Sequence, residues 1–463
     1  MTPSAMITAL PTEVNSTSIA TEINQPTIAL LHCYDLIDDF LDSINISWTD
    51  FCQEFVGSWM FGYINALKLA GVRTVLFCVT NQVKEPTRFI HQPTNTTICA
   101  LPPSKIYRGY RAVRRQSLNA YGASEGQSFK DIEDSNNLRR SLLTPFKDLA
   151  RSVGAYLATP LGVLAEELRR ENCQAILCQE YEYARFDACV MLGKLIKVPV
   201  FASFQGGDAL QSWLEYPGRR LALKACQGVI IGTATERKRV SNSYHLPSHK
   251  IASIFNPLEV AQWKPGSRKN ARFQLRIPVQ AKVVAWHGRV EMERKGLDIL
   301  LQAWQKICLG RPQQDLRLLL VGTGSDAQQL RQRIQQMNLR GVQWLNEFVS
   351  DRSLIERYLM AADVYAFPSR QEGFPLAPIE AMSCGLPVVA TAAPGVPDIL
   401  AGGENSGGLM VPRGNVAAFT YALAKVLDSP QWAKKLGHKA RYRAHSCFAP
   451  QAIGEQLREF LFQ

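Results

Sequence analysis

Residues 372–391 read E-G-F-P-L-A-P-I-E-A-M-S-C-G-L-P-V-V-A-T, and this stretch decides the fold class. Pro375 and Pro378 donate no backbone hydrogen bond but suit a helix start, Gly385 suits a C-terminal cap, and Pro387 prevents the helix from continuing. The apolar run that follows reads as a buried strand. A short helix therefore lies between a glycine-containing loop and a strand covered on both faces, as in a parallel α/β sheet. Amides near Leu376 and Ala377 point out of the helix N-terminus, where a phosphate would meet both hydrogen-bond donors and the positive end of the helix dipole. Glu372 in the loop and Glu380 in the helix flank that position. A carboxylate only accepts hydrogen bonds, so it suits gripping pairs of sugar hydroxyls. Without the surrounding glycine and prolines, two such glutamates would read as solvated surface.

Outward from this stretch, strand and helix alternate in both directions. Residues 282–286 (K-V-V-A-W), 316–321, 342–345, 364–367 and 387–391 read as strands of one sheet. Upstream, 27–32, 72–79, 175–177, 198–203, 228–231 and 251–255 read as strands of another, with helices at 55–70 and 161–170. A polar, proline-containing stretch at 257–278 separates them. The expected fold is α/β, with two doubly wound Rossmann-like domains facing a cleft and ligands at the carboxyl ends of the strands. The expected parts are a disordered tail at 1–26, an N-terminal domain at 27–258, a C-terminal domain at 259–445, and a terminal helix at about 446–463 packing back on the N-terminal domain. Residues from about 101 to 160 are polar, basic and irregular, and read as a helical insertion or a long excursion.

Size and composition agree with two cores. The chain has 463 residues, 46% of them hydrophobic, and single cores stop growing near roughly 250–300 residues. This excludes a disordered polymer or a coiled coil. A formal charge of +12 favours an anionic partner without specifying a fold. The eleven cysteines are scattered singly, with no C-x-x-C pair, and read as buried hydrophobes of a reduced, cytoplasmic protein. The N-terminal stretch has no basic start and no apolar core, so it reads as neither signal peptide nor anchor. No window approaches the roughly 20 apolar residues of a membrane span. The sequons at Asn15, Asn45 and Asn95 read as chance tripeptides.

A second patterned stretch, W-H-G-R-V-E-M-E-R-K-G-L-D-I at 286–299, follows the first strand of the C-terminal sheet. A third, L-L-L-V-G-T-G-S at 318–325, is a strand ending in glycines, which admit close backbone approach. Together with 372–391 these resemble the retaining glycosyltransferases of family 4, which have the GT-B fold and a Glu, seven residues, Glu motif. The resemblance is strong over 283–415, extends from about residue 170, and is topological before that.

The resemblance implies a role for each matching residue. Glu372 contacts the donor sugar, amides of Gly373 and Phe374 line it, Leu376 at the helix start belongs to the donor-binding set, and Glu380 binds the ribose hydroxyls. Arg289 and Lys295 meet the donor diphosphate, where two fixed cations offset charge on the departing group. Arg294, beside Lys295, is positioned to exchange roles with it. Gly322 and Gly324 let the nucleotide approach, and the base packs near 344–349. As a structural alternative, these glycines simply shape a turn.

The N-terminal half matches less well. Gly57 and Ser58 lie where the family often has a Gly-Gly loop facing the donor phosphates. F-Q-G-G-D at 204–208 lies where many members carry His-Gly-x-Asp, so Gln205 stands for the histidine and Asp208 for the aspartate. Gln205 can donate and accept hydrogen bonds but cannot take a proton. Asn256-Pro257-Leu258-Glu259 departs from the usual Asn-Gly-Val-Asp hinge. Glu180, with Glu182, Arg185 and Asp187, follows a strand end and reads either as an acceptor contact or as a polar loop capping the next helix. The run K-I-Y-R-G-Y-R-A-V-R-R at 105–115, continued by Arg139, Arg140, Lys147 and Arg151, suits an anionic membrane surface or single-stranded nucleic acid, or equally a solvated basic helix.

The implied activity is transfer of a hexose from a UDP- or GDP-sugar to an acceptor hydroxyl with retention. The acceptor is lipid-linked, a polysaccharide or a small molecule. The nucleotide sugar is a co-substrate, no cofactor is expected, and no D-x-D motif marks a metal site. Nucleic acid is not an expected partner. The expected location is the cytoplasm, including the inner face of a membrane. A sugar-nucleotide or glycan-binding protein without catalysis, and a phosphorylase of similar shape, are the rival readings.

Overall fold

The computed structural model describes residues 25–463 apart from 45, 57–58, 121–152, 207–214 and 350. The expected tail, most of the expected excursion, and Gly57, Ser58 and Asp208 lie outside the described residues. So do Arg139, Arg140, Lys147 and Arg151.

The chain packs as two units. One runs to Ile230 and adds Val240–Ala252 and Leu457–Gln463; the other comprises Ile231–Arg239 and Ser253–Gln456. This division differs from the expected boundary at 258/259. Phe448 is buried in the core of the second unit, and only Leu457–Gln463 belong with the first, rather than all of 446–463. In the first unit Phe460 meets Phe201 edge-on with ring centroids 5.4 Å apart, and Arg458 donates to the Ala70 carbonyl at 3.1 Å. A Cβ at Gly228 would come within 2.4 Å of the Phe460 ring, so glycine makes room for it.

The first unit contains β1 (Thr27–Leu31), β2 (Arg73–Val79), β3 (Thr87–His91), β4 (Thr96–Leu101), β5 (Ala175–Gln179), β6 (Val200–Ser203), β7 (Gly228–Ile230) and β8 (Ile251–Ala252). They form one sheet in the order β3-β4-β2-β1-β5-β6-β7-β8. All pairs are parallel except the β3–β4 hairpin, which the sequence reading missed. In that hairpin Thr87 and Arg88 stand opposite Ala100 and Cys99. The order turns at β1 and β5, whose neighbouring carboxyl ends form the unit's topological switch point.

The second unit contains β9 (Lys282–His287), β10 (Leu316–Val321), β11 (Val342–Leu345), β12 (Val364–Phe367), β13 (Val388–Thr391) and β14 (Gly408–Val411). The order is β11-β10-β9-β12-β13-β14, parallel throughout, so numbered within the unit it is the 3-2-1-4-5-6 order of doubly wound nucleotide-binding sheets. Successive residues feed two apolar layers. Val283 and Ala285 join one cluster, and Val284 and Trp286 the other. Such two-sided burial explains why these strands read as continuous apolar runs. Among the described residues no helix is long and apolar enough to cross a membrane.

Candidate active site

The switch point of the second sheet lies between β9 and β12, which pair directly. Their carboxyl ends deliver the two loops that carry the predicted donor residues. Beyond β9 the chain turns through Gly288 to Gly296 and enters the helix Leu297–Leu309. Beyond β12 it passes Glu372 and enters the helix Ala377–Ser383.

Lys295 and Glu372 meet across these loops. Lys295 Nζ donates to both Glu372 oxygens, at 2.8 and 3.0 Å, and the Glu372 side chain is only 8% exposed. The main chain fixes this encounter. Gly296 adopts φ +64, and a Cβ there would lie 2.0 Å from the Pro368 carbonyl oxygen. The Arg370 amide donates to the Arg294 carbonyl at 2.9 Å, and the Arg370 guanidinium grips Asp298 with two bonds of 2.6 Å. Arg294 itself turns its side chain toward Glu291 at 3.7 Å, so it does not share the place of Lys295. Arg289 is 64% exposed, and the ion pair seen for it is with Glu291 at 3.6 Å. The structure thus brings Lys295 to Glu372 but does not bring Arg289 to either.

Glu380 accepts a 2.7 Å hydrogen bond from His287 Nε2. A carboxylate cannot donate, so the proton of this bond sits on Nε2. His287 is the last residue of β9 and is buried, and its Nδ1 has no partner among the described residues. Tyr365 on β12 donates its hydroxyl to the His287 carbonyl at 3.3 Å. Burial, followed by the nearby Glu380 and Glu372 charges, pushes the Tyr365 hydroxyl well above its ordinary range, so it stays a donor. Sequence reasoning gave His287 no role. The available signal was a single histidine ending an otherwise apolar strand.

The remaining donor-side residues are held mainly from behind. The Phe374 ring stacks on Phe255 at 5.4 Å and lies 6.1 Å from Phe448, so its side chain belongs to the core while its backbone stays at the loop. Gly395, at φ +83, brings the following turn against the Gly373 carbonyl, 2.8 Å from where a Cβ would stand. The Leu376 carbonyl accepts from the amides of Ile379 and Glu380 at 2.8 and 3.0 Å and so starts the helix. Packing of the neighbouring loop by itself requires glycine at 322 and 324. A Cβ on each would meet the Gly288 or Val290 carbonyl oxygen, at 2.0 and 2.4 Å. Trp344 packs beside the same turn, donating Nε1–H to the Gly322 carbonyl at 2.9 Å with the Arg331 guanidinium 5.8 Å from its ring.

In the first unit, Glu180 is a buried brace. It adopts φ 72, and its carboxylate accepts from the amides of Tyr181 and Gln205 at 3.1 and 3.0 Å. Gln205 is thereby fixed at the end of β6, with its side-chain nitrogen 3.3 Å from Ser203 Oγ. The other charged residues of this cluster also turn inward. Arg219 is fully buried and binds Asp187 at 2.7 Å and Glu182 at 3.3 Å. Arg185 donates to the carbonyls of His32, Tyr34 and Asp35 and to the Thr159 hydroxyl. These contacts favour the structural reading of the cluster over an acceptor-binding one.

The basic run also needs correction. Lys105–Ala120 is a helix, but Tyr107 is buried and donates to Asp35 at 2.9 Å, and Tyr110 packs on the same small cluster. Arg111 grips Asp39 with bonds of 2.8 and 2.9 Å. Asp35 and Asp39, in the loop and the short helix Ile37–Ser43 that follow β1, are therefore partners of this helix, and both tyrosine rings pack inward, Tyr107 fully and Tyr110 in part. Lys105 and Arg108 remain exposed; the side chains of Arg114 and Arg115 lie outside the described ones.

Comparison with known proteins places this geometry among relatives. Residues 281–429 match the family model described as Glycosyl transferases group 1. A D-inositol 3-phosphate glycosyltransferase of Saccharomonospora viridis is 29% identical over 250 residues, covering 52% of this chain and 57% of that protein. Its counterpart in Kineococcus radiotolerans is 28% identical over 361 residues, covering 72% and 82%. Other curated relatives of that name are spanned over about half their length. Among solved structures, sucrose-phosphate synthase from Thermosynechococcus elongatus superposes with a TM-score of 0.65 at 19% identity, covering 94% of this chain and 98% of that one. Anabaena HepE in complex with UDP gives 0.65 at 15% identity, covering 94% and 99%. The fold is that of the GT-B glycosyltransferases, and its second unit carries the sequence pattern of the group 1 glycosyl transferases over residues 281–429.

Proposed function

We propose that this protein transfers a hexose from a nucleoside diphosphate sugar to an acceptor hydroxyl with retention at the anomeric carbon. The observation that carries the reading is that the Lys295–Glu372 and His287–Glu380 pairs both form beyond or at the carboxyl ends of β9 and β12, within the region matching the group 1 glycosyl transferases. In this reading Glu380, oriented by His287, grips the ribose hydroxyls, and Glu372 grips hydroxyls of the sugar. Lys295 turns from Glu372 toward the diphosphate, joined by the exposed Arg289. The bond from the anomeric carbon to the diphosphate oxygen breaks as the acceptor oxygen bonds to the same face, and the acceptor's proton passes to the departing phosphate. Positioned cations offset the charge on that phosphate, so the step calls on no cofactor or metal. UDP is the favoured nucleotide because HepE, of the same fold, was solved with it.

The test is a panel of UDP- and GDP-sugars incubated with the full chain and candidate acceptors, with nucleotide release and product anomer read by NMR. Nucleoside diphosphate release with a product of unchanged anomeric configuration is expected. Binding of every donor without release would leave a binding protein, and release of sugar phosphate instead would indicate a phosphorylase.

A further inference from the structure

The second unit has another concavity, at the amino-terminal ends of its strands and thus on the side of the sheet opposite the donor residues. It is a groove open to solvent with a volume of about 770 Å³, within the range of small-molecule sites. Lys282 at the start of β9, Asp363 just before β12, and Gly385 shortly before β13 line one side. The helix Pro430–Phe448 forms the other. On that helix Lys434, His438 and Arg441 follow one another at spacings of four and three, a single stripe facing the cavity. The helix comes this close because residue 437 is glycine: a Cβ there would lie 2.1 Å from the Gly385 carbonyl oxygen.

The charges on this wall do not balance. Asp363 is the only acid in the lining, and it is already shared by Arg268 and Arg272 at 2.8 Å each. Lys282 is bound to Asp428 at 2.8 Å. Among the described residues the helix stripe has no such counter-ion. Arg441 donates to the neutral Ser383 carbonyl at 2.8 Å, and no carboxylate lies within ion-pair distance of Lys434 or Arg441 among the described residues. Met360, Leu386 and Val426 supply an apolar remainder of the wall.

We propose that this cavity is a second ligand site, which takes a small phosphate-bearing organic anion, with Lys434 and Arg441 as its cations and His438 as a ring N–H donor between them. The cations match a phosphate, where hydrogen bonds to ionised groups are the strong ones. The apolar remainder matches a carbon skeleton. The site is separate from the donor residues and does not depend on the transfer reaction.

Calorimetric titration of the full-length Arg289→Gln/Lys295→Gln variant with inorganic pyrophosphate tests the phosphate part, because that background removes the cations assigned to the donor diphosphate. The background variant should still bind pyrophosphate, and adding Lys434→Gln/His438→Gln should weaken binding at least tenfold. Lys434 and His438 are exposed, so exchanging them leaves the core untouched, whereas Arg441 is spared because it holds the end of the helix carrying Glu380. Thermal melts of both variants check folding. No binding by the background variant, or equal binding after the further exchange, would overturn the proposal.

Discussion

Lys295 Nζ sits 2.8 and 3.0 Å from the two oxygens of Glu372, so each is the counter-ion of the other as well as a candidate substrate contact. Removing one charge strands the other in a mostly buried place. Lys295→Met should therefore lower unfolding stability by about 1–3 kcal/mol, and Lys295→Met/Glu372→Gln should recover part of that loss. Transfer should be abolished in both. Denaturant melts alongside donor turnover check this; a double variant no more stable than Lys295→Met would show that the pair carries little energy.

The His287–Glu380 bond should matter through Glu380 alone. His287→Leu is expected to weaken nucleoside diphosphate binding about tenfold, and His287→Gln, which keeps a donor, should restore most of it. In a Glu380→Gln background the His287→Leu change should cost nearly nothing, because contacting residues couple by roughly 0.5–3 kcal/mol. Equal losses in both backgrounds would assign His287 to packing only.

Arg219 bonds both Asp187 and Glu182, and its side chain is 0% exposed. Arg219→Leu takes from the buried Asp187 the guanidinium that grips both its oxygens, and such breaks cost about 3–5 kcal/mol. The first unit should then unfold at lower denaturant than the second, giving two transitions. A single unshifted transition would contradict this.

Acid should weaken the first unit well before the ordinary carboxylates titrate. Burial lowers His91 to about 4 and His32 to about 3, from an ordinary value of 6.5. Both pKa values are depressed on folding, so the unfolded chain takes up these protons first. Stability is full above pH 6.5 and declines as pH falls toward 4 and then 3, at most about 1.4 kcal/mol per pH unit for each proton. Asp428, lowered to about 2 chiefly by its hydrogen bond with Arg311, acts only below its ordinary 3.8. Urea midpoints should therefore fall between pH 6.5 and 4.5, and His91→Gln should flatten that slope.

Much of the second unit was legible in the sequence, because strands apolar on both faces, such as 316–321 and 364–367, leave little choice of element. The β3–β4 hairpin was not, since its outer residues are polar and Arg88 finds its partners, Glu167 and Glu171, some 80 residues away. In the basic helix the packing of one face was hidden for the same reason: Asp35 and Asp39, the partners of Tyr107 and Arg111, precede them by 72 positions. Glu372, Glu380 and Lys295 stood out because glycine and proline around them fix the local chain. His287 did not, as a lone histidine closing an apolar strand reads as ordinary core.

The return of Leu457–Gln463 to the first unit bears on how the protein is made. Phe460 and Arg458 complete packing around Phe201, Gly228 and Ala70, all of which are synthesised far earlier. During translation the first unit must wait with that apolar surface uncovered until residues 457–463 leave the ribosome, while the second unit, nearly continuous in sequence, can fold as it emerges. Truncating these few residues would thus injure the half of the molecule made first.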